Sequence, residues 1–390
     1  MSDADLQVAA RVLAQAFGGP VRVRAESSPE GGSGRANLFR CSVLDGPSGA
    51  PTSAIVKRVN VEPGETYDPA AIDGPASRLF NEWASLQFLS TIAPEAQLAP
   101  RFYGGDRAVG LIVMEDLGEG ESLIQPLLGD DRARAEAALD IYFRSLGRLN
   151  ALSAPHIDTF WRIRDALGPR DPLSQPTLDG GRAMLAERLD AVCDAVGLRP
   201  AVGVAEELAF AAGFSAAPGP FAAFSQSDTC PDNCLRDGDW MRFLDFEWGW
   251  IRHALNDGAR ARSNFPTCWC VNRLPDETIR RTEAVYRAEL VKGCPAAADD
   301  RRFGQEIVNA CAFWTLFAVE FYQGIWEADS EWGTATVRQR LLARLELLSQ
   351  ASVEFDHMPA LGDTARRIVE RLRVRWPELE LMPLYPPFRS

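Results

Sequence analysis

Short β-like segments stop near Met114, and beyond residue 130 the apolar spacing turns helical; that switch constrains the fold more than any other feature. Val21 to Arg24 alternates with period two, Leu38 to Val43 has a strand-like pattern, and Ser53 to Val59 is rich in β-branched residues. An amphipathic helix over residues 4 to 16 precedes them, stopped by Gly18, Gly19 and Pro20. Segments 101–103 and 110–114 would complete a small antiparallel sheet. Between the third strand and these, residues 77–90 place Leu79, Trp83, Leu86 and Leu89 on one helical face, and Glu82 projects from that same face. A carboxylate on a buried face needs a partner, because burying it unpaired is costly. Further helices are predicted at 134–151, 181–196, 205–212, 276–291, 302–321, 336–351 and 363–373, with one β pair among them, 221–224 and 241–246. The pattern predicts an α+β chain: a small β-rich N-terminal lobe (1–115), a polar joint near 115–119, and a larger, mostly helical C-terminal lobe (116–390).

Charge narrows the partners. The net charge of −13 repels phosphate backbones, which argues against a nucleic-acid partner and suits a cationic ligand. No stretch approaches the roughly 18 apolar residues of a membrane span. Asp3 and Asp5 stand where a signal peptide would carry basic residues, so a cytoplasmic protein with mostly reduced cysteines is expected. Of 41 basic residues only Lys57 and Lys292 are lysine. A chain that uses arginine almost everywhere keeps Lys57 in the middle of an apolar β segment. A compact ammonium can reach phosphate oxygens there, where a planar guanidinium would not fit.

The segment Phe224-Ser-Gln-Ser-Asp228-Thr-Cys-Pro-Asp-Asn233-Cys-Leu235, followed by Phe243-Leu-Asp245-Phe-Glu247, carries the chemistry. An acid and an amide five residues apart on one loop, joined by Asp245 from a return strand, supply what phosphoryl transfer needs. One carboxylate orients the acceptor hydroxyl and accepts its proton, and oxygen ligands hold Mg²⁺ while leaving room for phosphate and water.

These residues resemble the H-G-D-x-x-x-x-N … D-[FWY]-[ED] pattern of aminoglycoside phosphotransferases and choline-kinase-like enzymes. The resemblance runs from the glycine-rich stretch near residue 31 to the helix after Asp245. It implies a protein kinase-like two-lobe fold and ATP as phosphoryl donor. Asp228 would be the catalytic base, with Asn233 and Asp245 holding magnesium. Lys57 would bind phosphates with Glu82 as its helix partner, and Gly32 and Gly34 would lie in the loop over the phosphates. Met114 and Glu115, in Val113-Met-Glu-Asp-Leu-Gly118, would form the hinge against adenine, and Asp257 would be structural. The implied acceptor is a small molecule bearing a hydroxyl, such as an amine-bearing metabolite or an aminoglycoside-like antibiotic.

The sequence departs from that pattern at Gln226 and Ser227, where the family has His and Gly, and at Asn150, where many members have another His. Gln226 retains a donor and an acceptor for the loop backbone. The alternative these departures raise is a degenerate, nucleotide-binding pseudokinase. A protein kinase fits less well, since Asp245 is followed by Phe-Glu and no Ala-Pro-Glu segment follows. Cys230-x3-Cys234 and Cys268-x-Cys270 around His253 suggest zinc, but the spacing is not that of a knuckle and buried thiols are the expectation. Trp248, Trp250, Trp314 and Trp326 read as core aromatics. Glu320, Glu327 and Asp329 are candidates for a cationic acceptor site, set against the simpler expectation of a solvated helix face.

Overall fold

A computed structural model describes residues 1–26, 36–61, 66–170 and 176–389. Helix α1 (Asp3–Phe17) opens on a capping box from Ser2 and Asp5 and closes on Gly18, whose φ of 76° is the left-handed conformation glycine takes without steric cost. Strands β1 (Arg22–Ala25), β2 (Ala36–Asp45) and β3 (Ser53–Val59) follow, then α2 (Gly74–Ile92), β4 (Phe102–Asp106) and β5 (Leu111–Glu115). They form one antiparallel sheet in the order β1-β2-β3-β5-β4.

Alternation along these strands assigns the two faces of the sheet. Cys41, Ala54, Val56, Leu111 and Val113 lie on one face and pack against Val8, Ala9, Val12 and Leu13 of α1. Burying each valine or leucine contributes about 1.5–3 kcal/mol. The other face carries Leu38, Lys57 and Ile112 in one cross-strand row and Arg40, Ile55 and Met114 in the next. That second face looks toward the rest of the chain, so Lys57 is delivered inward by the same period that buries Val56 outward.

After β5 the chain becomes mostly helical. Helices α3 (Ile124–Leu128), α4 (Arg132–Ser153), α5 (Ile157–Leu167), α6 (Leu178–Ala195) and α7 (Val204–Ala216) precede four short strands, β6 (Ala222–Ser225), β7 (Cys234–Asp237), β8 (Trp240–Phe243) and β9 (Trp250–His253). Then come α8 (Leu255–Gly258), α9 (Asp276–Leu290), α10 (Asp300–Phe317), β10 (Glu331–Trp332), β11 (Ala335–Thr336), α11 (Val337–Glu354) and α12 (Pro359–Arg375). α4 runs close against α9 at Gly147, where a Cβ would sit 2.4 Å from the Tyr286 carbonyl oxygen. That approach puts the Tyr286 hydroxyl 2.7 Å from both Asn150 Oδ1 and the Ala254 carbonyl.

The strand pairing corrects one expectation. Segment 221–224 does not pair with 241–246. Strand β6 pairs with β9, and β8 closes a separate hairpin with β7. Asp245 therefore sits past the end of β8 in an irregular turn, not on a strand.

Candidate active site

Lys57 is only 7% exposed, and a lone buried ammonium would be costly. Two carboxylates offset that cost. Its Nζ lies 2.5 Å from Glu82 Oε2 and 2.8 Å from Asp245 Oδ1. Burial would lower the Lys57 ammonium, but Glu82 and Asp245 outweigh it and hold Lys57 above its ordinary value. Burial pushes Glu82 up to about 7, against the pull of Lys57. The partner that helix periodicity demanded for Glu82 is thus Lys57, brought in from the sheet.

The loop after β6 places the remaining groups. Asn233 Nδ2 donates to the Asp228 carbonyl at 3.0 Å and to Asp228 Oδ2 at 3.3 Å. The Asn233 side-chain oxygen takes no hydrogen bond among the described residues, and Asn233 lines the same cleft as Asp245. Leu244 N–H donates to the Asn233 carbonyl at 2.9 Å, which stitches the loop to the turn carrying Asp245. Asp245 has φ 56°, a left-handed backbone that non-glycine residues seldom adopt and that tends to mark functional positions. Burial raises the Asp228 carboxyl above its usual range, with Arg260 and Thr267 pulling it back.

Lys57, Glu82, Met114, Glu115, Asn233 and Asp245 all line one cleft of about 600 Å³ between the sheet and the helical part. Asp228 is not among the lining residues; it is half-buried and joined to the cleft through Asn233. Gly32 and Gly34 fall outside the described residues. Glu115 turns its carboxylate away from the cleft's centre: it pairs with Arg242 and accepts the Arg101 N–H at 3.0 Å. The Glu115 backbone N–H also donates to the Arg101 carbonyl at 2.9 Å. The donor set of one amide and one carboxylate oxygen fits Mg²⁺, which binds few protein oxygens and keeps phosphate and water for the rest.

The departures from the family pattern have structural explanations. Gln226 is buried and donates from Nε2 to the Leu244 carbonyl, tying the loop to the residue before Asp245. Ser227 holds φ 71°, where glycine would be unstrained, and two arginines secure it. Arg252 Nε donates to its hydroxyl at 2.7 Å, and Arg260 Nη2 donates to its carbonyl. Asn150 donates to the Phe224 carbonyl at 2.8 Å and to Asp257 Oδ2 at 3.2 Å. Buried Asp257 also accepts from Ser225 Oγ at 2.8 Å, a scaffold for the root of the loop.

Other expectations change. Cys230 and Cys268 form a disulfide, so these two are not free thiols; the other six cysteines are free and buried. Trp314 and Trp250 are buried, Trp326 stacks on Trp376, and Trp248 is 42% exposed rather than a core residue. Glu320 pairs with Arg188, Asp329 accepts the Arg338 N–H at 3.1 Å near the start of α11, and neither lines the cleft. Sequence reasoning missed Arg252, Arg260 and Thr267. Arg260 stands one helical turn past Asp257, which was a usable signal; Thr267 offered none.

No family model matches the chain, and no curated protein matches it. Among solved structures it is similar to a choline kinase from Cryptosporidium parvum Iowa II, at 13% identity and TM-score 0.44, over 91% of this chain and 90% of that one. It is similar to a choline/ethanolamine kinase family protein from Mesorhizobium loti, at 13% identity and TM-score 0.44, over 94% and 98%. An aminoglycoside phosphotransferase from Alicyclobacillus acidocaldarius gives 12% identity and TM-score 0.44, over 91% and 93%.

Proposed function

We propose that this chain is a phosphotransferase that moves the γ-phosphoryl group of ATP to a hydroxyl of a small molecule. The observation that supports it best is Lys57 held between Glu82 and Asp245 in the cleft that Asn233 also lines. Lys57 would meet the phosphates, and Glu82 would fix its reach. Asn233 and Asp245 would hold Mg²⁺, which supplies charge neutralisation at the phosphate oxygens. Asp228 would accept the proton of the acceptor hydroxyl as its oxygen bonds to the γ-phosphorus and the bond to the β–γ bridging oxygen breaks. Met114 and the Glu115 backbone would border the base, and Gly32 and Gly34 would lie in the phosphate loop. The lobes would divide at Glu115, as 1–115 and 116–390.

A pseudokinase is the second reading, favoured by Ser227 in its left-handed conformation. Against it, the arginine bonds to Ser227 and the Gln226 link to Leu244 keep the loop braced beside an intact Asp228 and Asn233. The net charge of −13 supports an amine-bearing acceptor and no nucleic acid. No helix among the described residues is long and apolar enough to cross a membrane. For the compartment we propose the cytoplasm; six free buried thiols favour it and the Cys230–Cys268 disulfide does not.

The test is ADP release from ATP with Mg²⁺ across choline, ethanolamine, streptomycin and gentamicin. Acceptor-stimulated release that Asp228→Asn abolishes supports the proposal. Nucleotide binding with no release for any acceptor favours the pseudokinase.

A further inference from the structure

Segment 266–269 lies along the catalytic loop and touches it three times. Thr267 Oγ1 is 3.2 Å from Asp228 Oδ1, Cys268 is bonded to Cys230, and Trp269 Nε1 donates to Asp232 Oδ2 at 2.9 Å. The loop advances two residues for each one of the segment, so the contacts are spread evenly from the base to the residue before Asn233. The segment is itself clamped from α11. Arg344 Nη2 donates to the Pro266 carbonyl at 2.7 Å, and Arg340 donates to the carbonyls of Cys268 at 2.8 Å and Trp269 at 3.0 Å. Both arginines are at most 2% exposed and one helical turn apart. Thr334 N–H adds a bond to the Trp269 carbonyl at 3.1 Å.

The direction of the Thr267 bond follows from donor chemistry. Arg260 Nη1 lies 3.1 Å from Thr267 Oγ1 and, as a guanidinium, only donates. The Thr267 hydroxyl accepts from Arg260 and has its own proton for Asp228. Thr267 then holds one carboxylate oxygen and Asn233 the other, so the plane of the carboxylate is fixed from both ends.

Resting on the proposed reaction, we infer that Thr267 is a positioning residue for Asp228, presented by a splint at 266–269 that is fastened to the catalytic loop and anchored by Arg340 and Arg344. Its hydroxyl sets the direction in which the base faces the acceptor. Thr267 does not line the cleft that Lys57, Asn233 and Asp245 share.

The experiment measures ADP release from MgATP, with the most active of those four acceptors, for wild type, Thr267→Val, Thr267→Ser and Asp228→Asn. Thr267→Val lowers kcat on the order of tenfold with KM for ATP unchanged, because a misaimed base costs rate and not nucleotide binding. Thr267→Ser, which keeps the hydroxyl, returns kcat to within about twofold of wild type. Wild-type kcat in the valine variant overturns the inference, as does a serine variant as slow as the valine one. Asp228→Asn separates the two levels. If it is inactive while Thr267→Val matches wild type, only the positioning role fails. If it turns over near the wild-type rate, or wild type has no turnover, the base assignment fails and the positioning role with it.

Discussion

Replacing Lys57 with methionine keeps an apolar stem of similar length and deletes the charge that lies against both Glu82 and Asp245. Asp245 keeps water, with 32% of its side chain exposed. Glu82, 2% exposed, loses its ammonium partner. Breaking a buried ion pair from one side costs about 3–5 kcal/mol, because the remaining charge is uncompensated. Glu82 has one escape. Burial already pushes it up to about 7, and without Lys57 it stays protonated through neutral pH. The folded variant then holds a proton that the unfolded chain has released, from the usual carboxylate range up to the pH at which the buried Glu82 itself ionises. Its stability therefore falls as pH rises, by about 1.4 kcal/mol per pH unit. In the wild-type protein Glu82 produces that downward slope only up to about 7, where it ionises in the folded state as well. Urea unfolding of both proteins between about pH 7 and 9 reads the difference, a gap widening by about 2–3 kcal/mol. A second substitution, Glu82→Gln, removes the widening. Stability curves that stay parallel across this range would refute the coupling of Lys57 to a buried Glu82.

Asp228→Asn lowers turnover by about 10²–10⁴-fold while ATP binding by calorimetry persists; loss of binding would mean the residue serves the nucleotide instead. The Cys230–Cys268 disulfide spans 38 residues, so Cys230→Ser lowers unfolding free energy by about 4 kcal/mol in denaturant titration, and an oxidised protein no more stable than the variant contradicts the pairing. His253 is buried against Phe214 and Phe221, and burial holds it below its ordinary value of 6.5 despite Glu306. The unfolded chain then takes up this proton at higher pH than the folded one, so stability falls as pH drops below about 6.5. His253→Gln lacks that component, and its denaturation midpoint falls less steeply on acidification; equal slopes would exclude the histidine.

What the sequence made legible were local periods and unusual residue choices. Period two through Ser53–Val59 puts Lys57 on the face opposite Val56, and helix periodicity puts Glu82 on a buried face that requires a cation. Neither pattern names the partner, but one scarce lysine and one misplaced glutamate leave few combinations. The pairing of β6 was not legible. Four-residue strands carry too little alternation to choose between 240–243 and 250–253, and in the fold β6 pairs with β9 while β8 pairs with β7. The left-handed turn at Asp245 was hidden as well, since aspartate there gives no signal that glycine would have given. Thr267, Cys268 and Arg260 reach the loop across 33 to 39 positions of chain, a range at which spacing along the sequence says nothing about contact.

The central claim is that Lys57, Asp228, Asn233 and Asp245 act together to transfer a phosphoryl group, and label transfer tests it most directly. With γ-³²P-labelled ATP and Mg²⁺, the wild-type protein is predicted to place label on a small acceptor bearing a hydroxyl. Asp245→Asn, which keeps the size of the side chain and removes its charge, is predicted to place none. Labelled acceptor at the same rate from both proteins would contradict the account, as would wild-type protein that binds ATP and labels no acceptor.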